Sequence, residues 1–248
     1  MQGSEAAAVR SWRPSHSGAP CPGVDPRPSP SYSGSNERLN RAVDSRHFST
    51  KDRILAAAES LFAEHGFAAT SLRQVTGRAD VNLAAVNYHF GSKDNLVHEV
   101  FRRRLDQLSA RRLEALKAAL AGPAPRLEPV LGAFIRPALA LTLDRGGGAA
   151  FVRVLARAFA EKNEGLRRFL SDNYGHVLRE FARALAQELP ALDKEHLYWR
   201  LDFIAGALTY AMADFGLIKR PPGTTERAHC ERAADELVAF AAAGLRAP

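Results

Sequence analysis

The chain has 248 residues, 46% apolar and 25% charged, the mix of an ordinary globular protein with room for one large domain or a small module plus a larger one. It holds no apolar run near the ~18–20 residues that cross a bilayer and no apolar core of a secretory signal in its first thirty residues. Two lone cysteines, Cys21 and Cys230, exclude a disulfide framework and a four-cysteine zinc site, so a reducing cytoplasm fits best, and the net charge of +7 favours polyanionic partners only weakly because no segment is a strong basic block.

Residues 1–48 contain six Pro, four Gly and nine Ser and keep no helical or strand period, which reads as a disordered tail. Two readings stand for it. It is a flexible extension or a stretch ahead of the true start, or it is an arm that touches DNA or a partner. Helical punctuation begins at Ser49, which has capping-box spacing to Asp52. Ile54, Leu55, Ala58, Leu61 and Phe62 share one face of a helix that stops at Gly66. Thr70 or Ser71 caps a second helix holding Leu72 and Val75. Asn82 caps a short third one, Leu83 to about Phe90. After Gly91, Ser92 caps a long helix from Lys93 towards Leu120.

The remainder reads as helical too. A helix is predicted from about Leu127 to Leu143, kinked or split by Pro137. Another runs from Ala149 to Glu161. Asn163 caps one that carries Leu166, Leu170, Tyr174, Val177, Phe181 and Leu185. Asp193 caps one whose ladder is Leu197, Leu201, Ile204, Leu208, Ala211 and Phe215, and the last runs from Thr225 to Leu245. The predicted fold class is all-α: a three-helix helix-turn-helix module at 49–95, then a larger bundle at 96–248.

The function-bearing pattern is helix, turn, helix between Thr70 and Lys93. Leu72 and Val75 bury the second helix, Ala79 permits a close crossing, Val81 plugs the turn, and Val86 and Phe90 bury the back of the third helix. That leaves Leu83, Ala84, Ala85, Asn87 and Tyr88 facing outward or sideways with almost no charge. Such a face suits a DNA major groove, where Ala and Leu touch a thymine methyl and Asn pairs with adenine. Free N–H groups at the two helix starts point at phosphates, with Thr70, Ser71, Arg73 and Asn82 beside them; Tyr88, His89 and Lys93 add donors past the reading helix.

Gly66-Phe67, Thr70, Val81, the Asn-Tyr-His-Phe run at 87–90 and Lys93-Asp94-Asn95-Leu96 resemble the signature of TetR-type transcriptional repressors over residues 50 to about 97. One departure is Asp80, where the family usually has Gly, so that the turn needs a left-handed Asp. Asn82 to Asn87, the run Phe169 to Tyr174, and Tyr198-Trp199-Arg200 are similar to the fatty-acid-responsive PsrA-type branch. The resemblance implies a homodimer on a palindromic operator in double-stranded DNA, released by a small apolar effector. A fatty acid or acyl-CoA comes first, a planar aromatic or drug-like molecule second. For the dimer, Gly206, Ala207 and Ala211 beside the 197–215 ladder let a partner approach, unless that ladder faces the subunit's own core.

Candidate ligand contacts are Phe134, Phe151, Phe159, Phe169, Trp199, Phe203 and Tyr210, with Arg153, Arg157 or Arg200 for a carboxylate or phosphate, Arg153 first. Each also reads as ordinary core or surface. Arg102-Arg103-Arg104 and Arg111-Arg112 point around the long helix and read as a solvated face. The eight histidines are scattered, without a ligand pair at metal spacing, and no nucleophile elbow, phosphate loop or dinucleotide fingerprint occurs. No metal, cofactor or catalytic set is expected. An all-α acyl-chain enzyme and an interaction scaffold stay as the readings of other classes.

Overall fold

The computed structural model describes residues 49–247 except 125, 145, 162 and 214–218, and not the side chains of Phe159 and Ala160. The tail at 1–48 and Phe215 of the ladder lie outside the described residues. Among the described residues all regular structure is helical. The elements are α1 Thr50–His65, α2 Leu72–Ala79, α3 Leu83–Phe90, α4 Lys93–Ala121, α5 Leu127–Leu139, a 3-10 turn Ala140–Leu143, α6 Gly148–Ala160, α7 Glu164–Glu188, α8 Lys194–Met212 and α9 Glu226–Arg246.

The caps explain most boundaries. Ser49, Ser71, Asn82, Ser92, Asn163, Asp193 and Thr225 each accept a backbone N–H with the side chain at a helix start. At the second helix the cap is Ser71, which forms a full capping box with Gln74. Pro137 does not stop α5; the α-helix runs two residues past it and then tightens into the 3-10 turn.

Helix α5 is the hub of the bundle. It is buried nearly all round by Leu127, Val130, Leu131, Ala133, Ile135, Ala138 and Leu139, and packs on α4, α7, α8 and α9. Helices α1 to α3 form the N-terminal unit around Ile54, Phe62, Val75, Val86 and Phe90. Two bundle helices reach that unit: α1 lies on both α4 and α6.

Polar groups close this junction. Arg157 of α6 donates to the carbonyls of Ala63 and Glu64, two of the acceptors that the end of α1 leaves unpaired. The Glu161 carboxylate accepts from the Phe67 N–H at 3.0 Å. Gly66 is fixed twice over, by its φ of 85° and by Glu161 standing where a Cβ would go.

Candidate nucleic-acid interface

The turn between α2 and α3 is built by Asp80. It has φ 52° and ψ 55°, the only left-handed non-glycine conformation among the described residues, in line with the need read from its position. Arg53 of α1 holds the turn, donating from Nη2 to the carbonyls of Ala79 and Asp80 at 2.6 Å each. The Val81 N–H donates to Thr76 O, closing the end of α2. These bonds fix the angle at which α3 leaves the turn.

Helix α3 is held from behind. Val86 and Phe90 are buried in the unit's core, and the Asn82 side chain accepts from Ala85 N at 2.8 Å. Ala84 and Asn87 are exposed, Leu83 is 42% exposed and Tyr88 86%, while Ala85 is half-buried against the core. The outer surface of α3 thus presents a small side chain, an amide and a phenol, with no ionised group. His89 is half-buried edge-on to Tyr88, ring centroids 5.1 Å apart.

The flanking groups divide. Ser71, Arg73 and Asn82 are exposed at the starts of α2 and α3. Lys93 is half-buried and donates to Ala68 O at 3.4 Å. Thr70 corrects the expectation of a free side-chain donor: it is 1% exposed and its hydroxyl donates to Gly66 O and Leu61 O, clasping the end of α1. Glu64 ties α1 to α2 through Arg78 at 2.7 Å; the Arg78 and Ser60 hydrogen bonds pull its carboxyl down to about 2.

The ligand contacts do not converge. Phe151 is wholly buried against Phe101, and Phe134 packs edge-on to Phe181, centroids 5.1 Å apart. Arg153, expected at a ligand carboxylate, is exposed on α6. Arg157 serves the junction, and Arg200 donates to the carbonyls of Gly244, Leu245 and Ala247. Phe159 is a side chain outside the described set. Trp199, Phe203 and Tyr210 lie exposed on α8, the last two 66% and 52%. Of these candidates the groove of about 380 Å³ beside α5 and α9 is lined by none, and the groove of about 460 Å³ beside the end of α7 by Arg200 alone.

The ladder of α8 is also resolved. Leu197, Leu201, Ile204 and Leu208 are buried in the subunit's own core. The adjacent stripe of Trp199, Phe203, Gly206 and Tyr210 points outward, beside exposed Phe240 and Gly244 of α9.

Two residues read as solvated face lie on the core-facing stripe of α4. Arg104 is 8% exposed and saturated: Glu59 takes Nε and Nη2 at 3.2 and 3.1 Å, Asp144 takes Nη1 at 2.7 Å, and Gly146 O accepts from Nη2. Burial pushes the Glu59 carboxyl above its ordinary range despite Arg104, whereas the Gly146 N–H, with Arg104 behind it, pulls Asp144 down. Asp144 and Gly146 are thus part of the shell that receives Arg104. Arg112 is half-buried. Its Nε donates to Phe134 O at 2.9 Å and its guanidinium lies 3.8 Å from the Phe134 ring centre; desolvation lowers its pKa to about 9. The signal for both was present in the spacing. Phe101, Arg104, Leu108 and Arg112 step by three, four and four along the core-facing stripe of α4.

Residues 54–100 match the family profile "Bacterial regulatory proteins, tetR family", and residues 132–244 match "Tetracyclin repressor-like, C-terminal domain"; together they take in well over half of the chain. The chain is 40% identical over 108 residues to the HTH-type transcriptional repressor Rv3405c of Mycobacterium tuberculosis, covering 44% of this chain and 45% of that protein. It is 33% identical over 87 residues to the HTH-type transcriptional repressor KstR2 of Mycolicibacterium smegmatis, covering 35% and 40%. The chain therefore spans less than half the length of these curated relatives. The fold is similar to that of a transcriptional regulator from Rhodococcus sp. Rha1, with TM-score 0.53 and 22% identity over 81% of this chain and 100% of that one. It is also similar to a putative tetR family regulator from Shewanella sp. PV-4, with TM-score 0.55 and 18% identity over 78% and 96%.

Proposed function

Because the chain belongs to the TetR family of bacterial regulatory proteins, a family of regulators and not of enzymes, we propose that it is a cytoplasmic transcriptional repressor. It reads a palindromic operator through α3 and is released by a small apolar effector. The observation that carries this is the surface of α3: Ala84, Asn87 and Tyr88 stand exposed and uncharged on a helix whose back and both ends are fixed. A merely solvated face is normally rich in charge. A face that enters the major groove uses methyl contacts and amide hydrogen bonds instead. Ser71, Arg73, Asn82, His89 and Lys93 are the phosphate-side groups in this reading.

The division of labour follows the chain. Residues 49–95 bind DNA; residues 96–248 bind the effector and the second subunit. Support for a homodimer is the outward stripe of α8, in which Trp199, Phe203, Gly206 and Tyr210 step by four, three and four, together with Phe240 of α9. Large exposed aromatics in one contiguous face mark an association surface. A second copy of α8 and α9 would complete a four-helix interface and set two α3 helices about 34–36 Å apart, one turn of DNA.

The effector is a fatty acid or acyl-CoA in this account, supported by the apolar bundle and by the likeness of residues 82–87, 169–174 and 198–200 to the PsrA-type branch. It acts by binding the DNA-incompetent state better, with a coupling of ~1–3 kcal/mol typical of such switches. Helix α4 runs unbroken from Lys93 beside the reading helix to Ala121 in the bundle and is the connecting rod.

Selection from a random duplex pool tests the reading. The full chain should enrich a near-palindrome whose half-sites lie about one helical turn apart. Recovery of no sequence preference, with the protein folded, contradicts it.

A further inference from the structure

The core-facing stripe of α4 carries two arginines eight residues apart, and only one of them is neutralised. Arg104 has the carboxylates of Glu59 and Asp144 and the carbonyl of Gly146. Arg112 has one hydrogen bond, from Nε to Phe134 O, and no acidic partner among the described residues. A guanidinium presents five N–H donors, and the four on its terminal nitrogens here meet no protein acceptor among the described residues. Those nitrogens are not sealed in either: the one buried side-chain nitrogen without a partner among the described residues is Arg103 Nη1. The terminal nitrogens of Arg112 therefore border space that something at least the size of water can enter.

A half-buried guanidinium with no acidic partner among the described residues and terminal N–H donors open to solvent can take two oxygens of an anion from outside. Its surroundings restrict what completes it. The half-buried Phe134 ring covers one face of the guanidinium and is itself backed by the buried Phe181 of α7, so the group beside the fork is aromatic. The three arginines expected from the sequence to receive an anionic head are placed elsewhere: Arg153 on the surface, Arg157 on the end of α1, Arg200 on the end of α9.

We propose that Arg112 is the anion seat of the effector site, taking the carboxylate or phosphate head of a small molecule whose apolar body lies between α4 and α5 along Phe134. This rests on the regulator reading, in which an effector binds the bundle. The planar fork engages two oxygens of one head at once, which a lysine does not. The head meets α4 on the same stripe as Arg104, which grips Glu59 of α1, so ligand binding and the junction act on one rigid rod.

The test uses the full chain in isothermal titration with decanoate, decyl phosphate and decanol, and with 2-naphthoate and 2-naphthalenemethanol. At least one anion should bind about tenfold or more tightly than the matching alcohol. Decanoate against decyl phosphate identifies the head, and the aliphatic against the aromatic pair identifies the body. In Arg112→Gln that preference should fall to within about twofold, and Arg112→Lys should keep part of it. If Arg112→Gln fails to fold by circular dichroism, Arg112→Lys and the wild-type comparison still decide. Equal binding of acids and alcohols by wild type, no binding of any anion, or an unchanged preference in Arg112→Gln overturns the proposal. Binding of the selected duplex is read in the same samples without ligand. Intact duplex binding with no anion preference sinks this inference alone; loss of duplex selectivity sinks the regulator reading and leaves the Arg112 result standing.

Discussion

The junction between α1 and the bundle differs from two other regions in how its polar groups end. At the junction Arg104, Arg157, Glu161 and Thr70 all terminate on partners within the chain. At the outer face of α3, and at the terminal nitrogens of Arg112, polar groups are held in place without a partner among the described residues. Closed groups build the fold. Open groups on rigid supports cost stability and are where a molecule from outside completes the structure. The same substitution should therefore have opposite consequences in the two settings.

The largest expected effect is at the closed end. Arg104→Met strands Glu59 in the interior and should cost about 3–5 kcal/mol, read as a lower denaturation midpoint in urea. A loss below about 1 kcal/mol would erase the distinction. Next comes the exposed aromatic stripe: Phe203→Glu should turn a dimer into a monomer in sedimentation while leaving helicity unchanged, since Phe203 has no core role. An unchanged sedimentation coefficient would remove α8 from the interface. Arg112→Met should be neutral or stabilising by about 1 kcal/mol, because it removes a half-buried charge that has no acidic partner among the described residues. Destabilisation like that of Arg104→Met would mean the two arginines do the same job.

The smallest effect is the surface tie Glu64–Arg78. Glu64 has its folded pKa lowered from 4.5 to about 2 by Arg78 and Ser60, so its contribution is present above pH 4.5 and is lost as pH falls towards 2. The stability gap between wild type and Glu64→Gln should shrink across that window. A gap independent of pH would show the tie to be inert.

How much of this was legible follows the same division. The span of α3 was readable because Asn82 and Gly91 bracket it with local chemistry, and the left-handed Asp80 was readable because one turn position demands it. Long-range partners were not. Glu59 and Arg104 lie 45 residues apart, and nothing local in either helix announces the pair. A charge on a core stripe looks like a solvated residue until the stripe is counted through it. Periodicity alone also could not orient α8. The buried set 197, 201, 204, 208 and the outward set 199, 203, 206, 210 step identically, so only the packed neighbours decide which faces in. Aromatic identity likewise does not separate a core filler such as Phe151 from a surface residue such as Phe203.

The central claim is that the uncharged outer face of α3 reads base pairs. Fluorescence anisotropy on the selected duplex and on a scrambled one, with wild type, Asn87→Ala and Tyr88→Ala, addresses it directly. Each substitution should lower affinity for the selected duplex by about 1–3 kcal/mol, with helicity and sedimentation unchanged and binding to the scrambled duplex little altered. Both variants retaining wild-type affinity and discrimination would contradict the account.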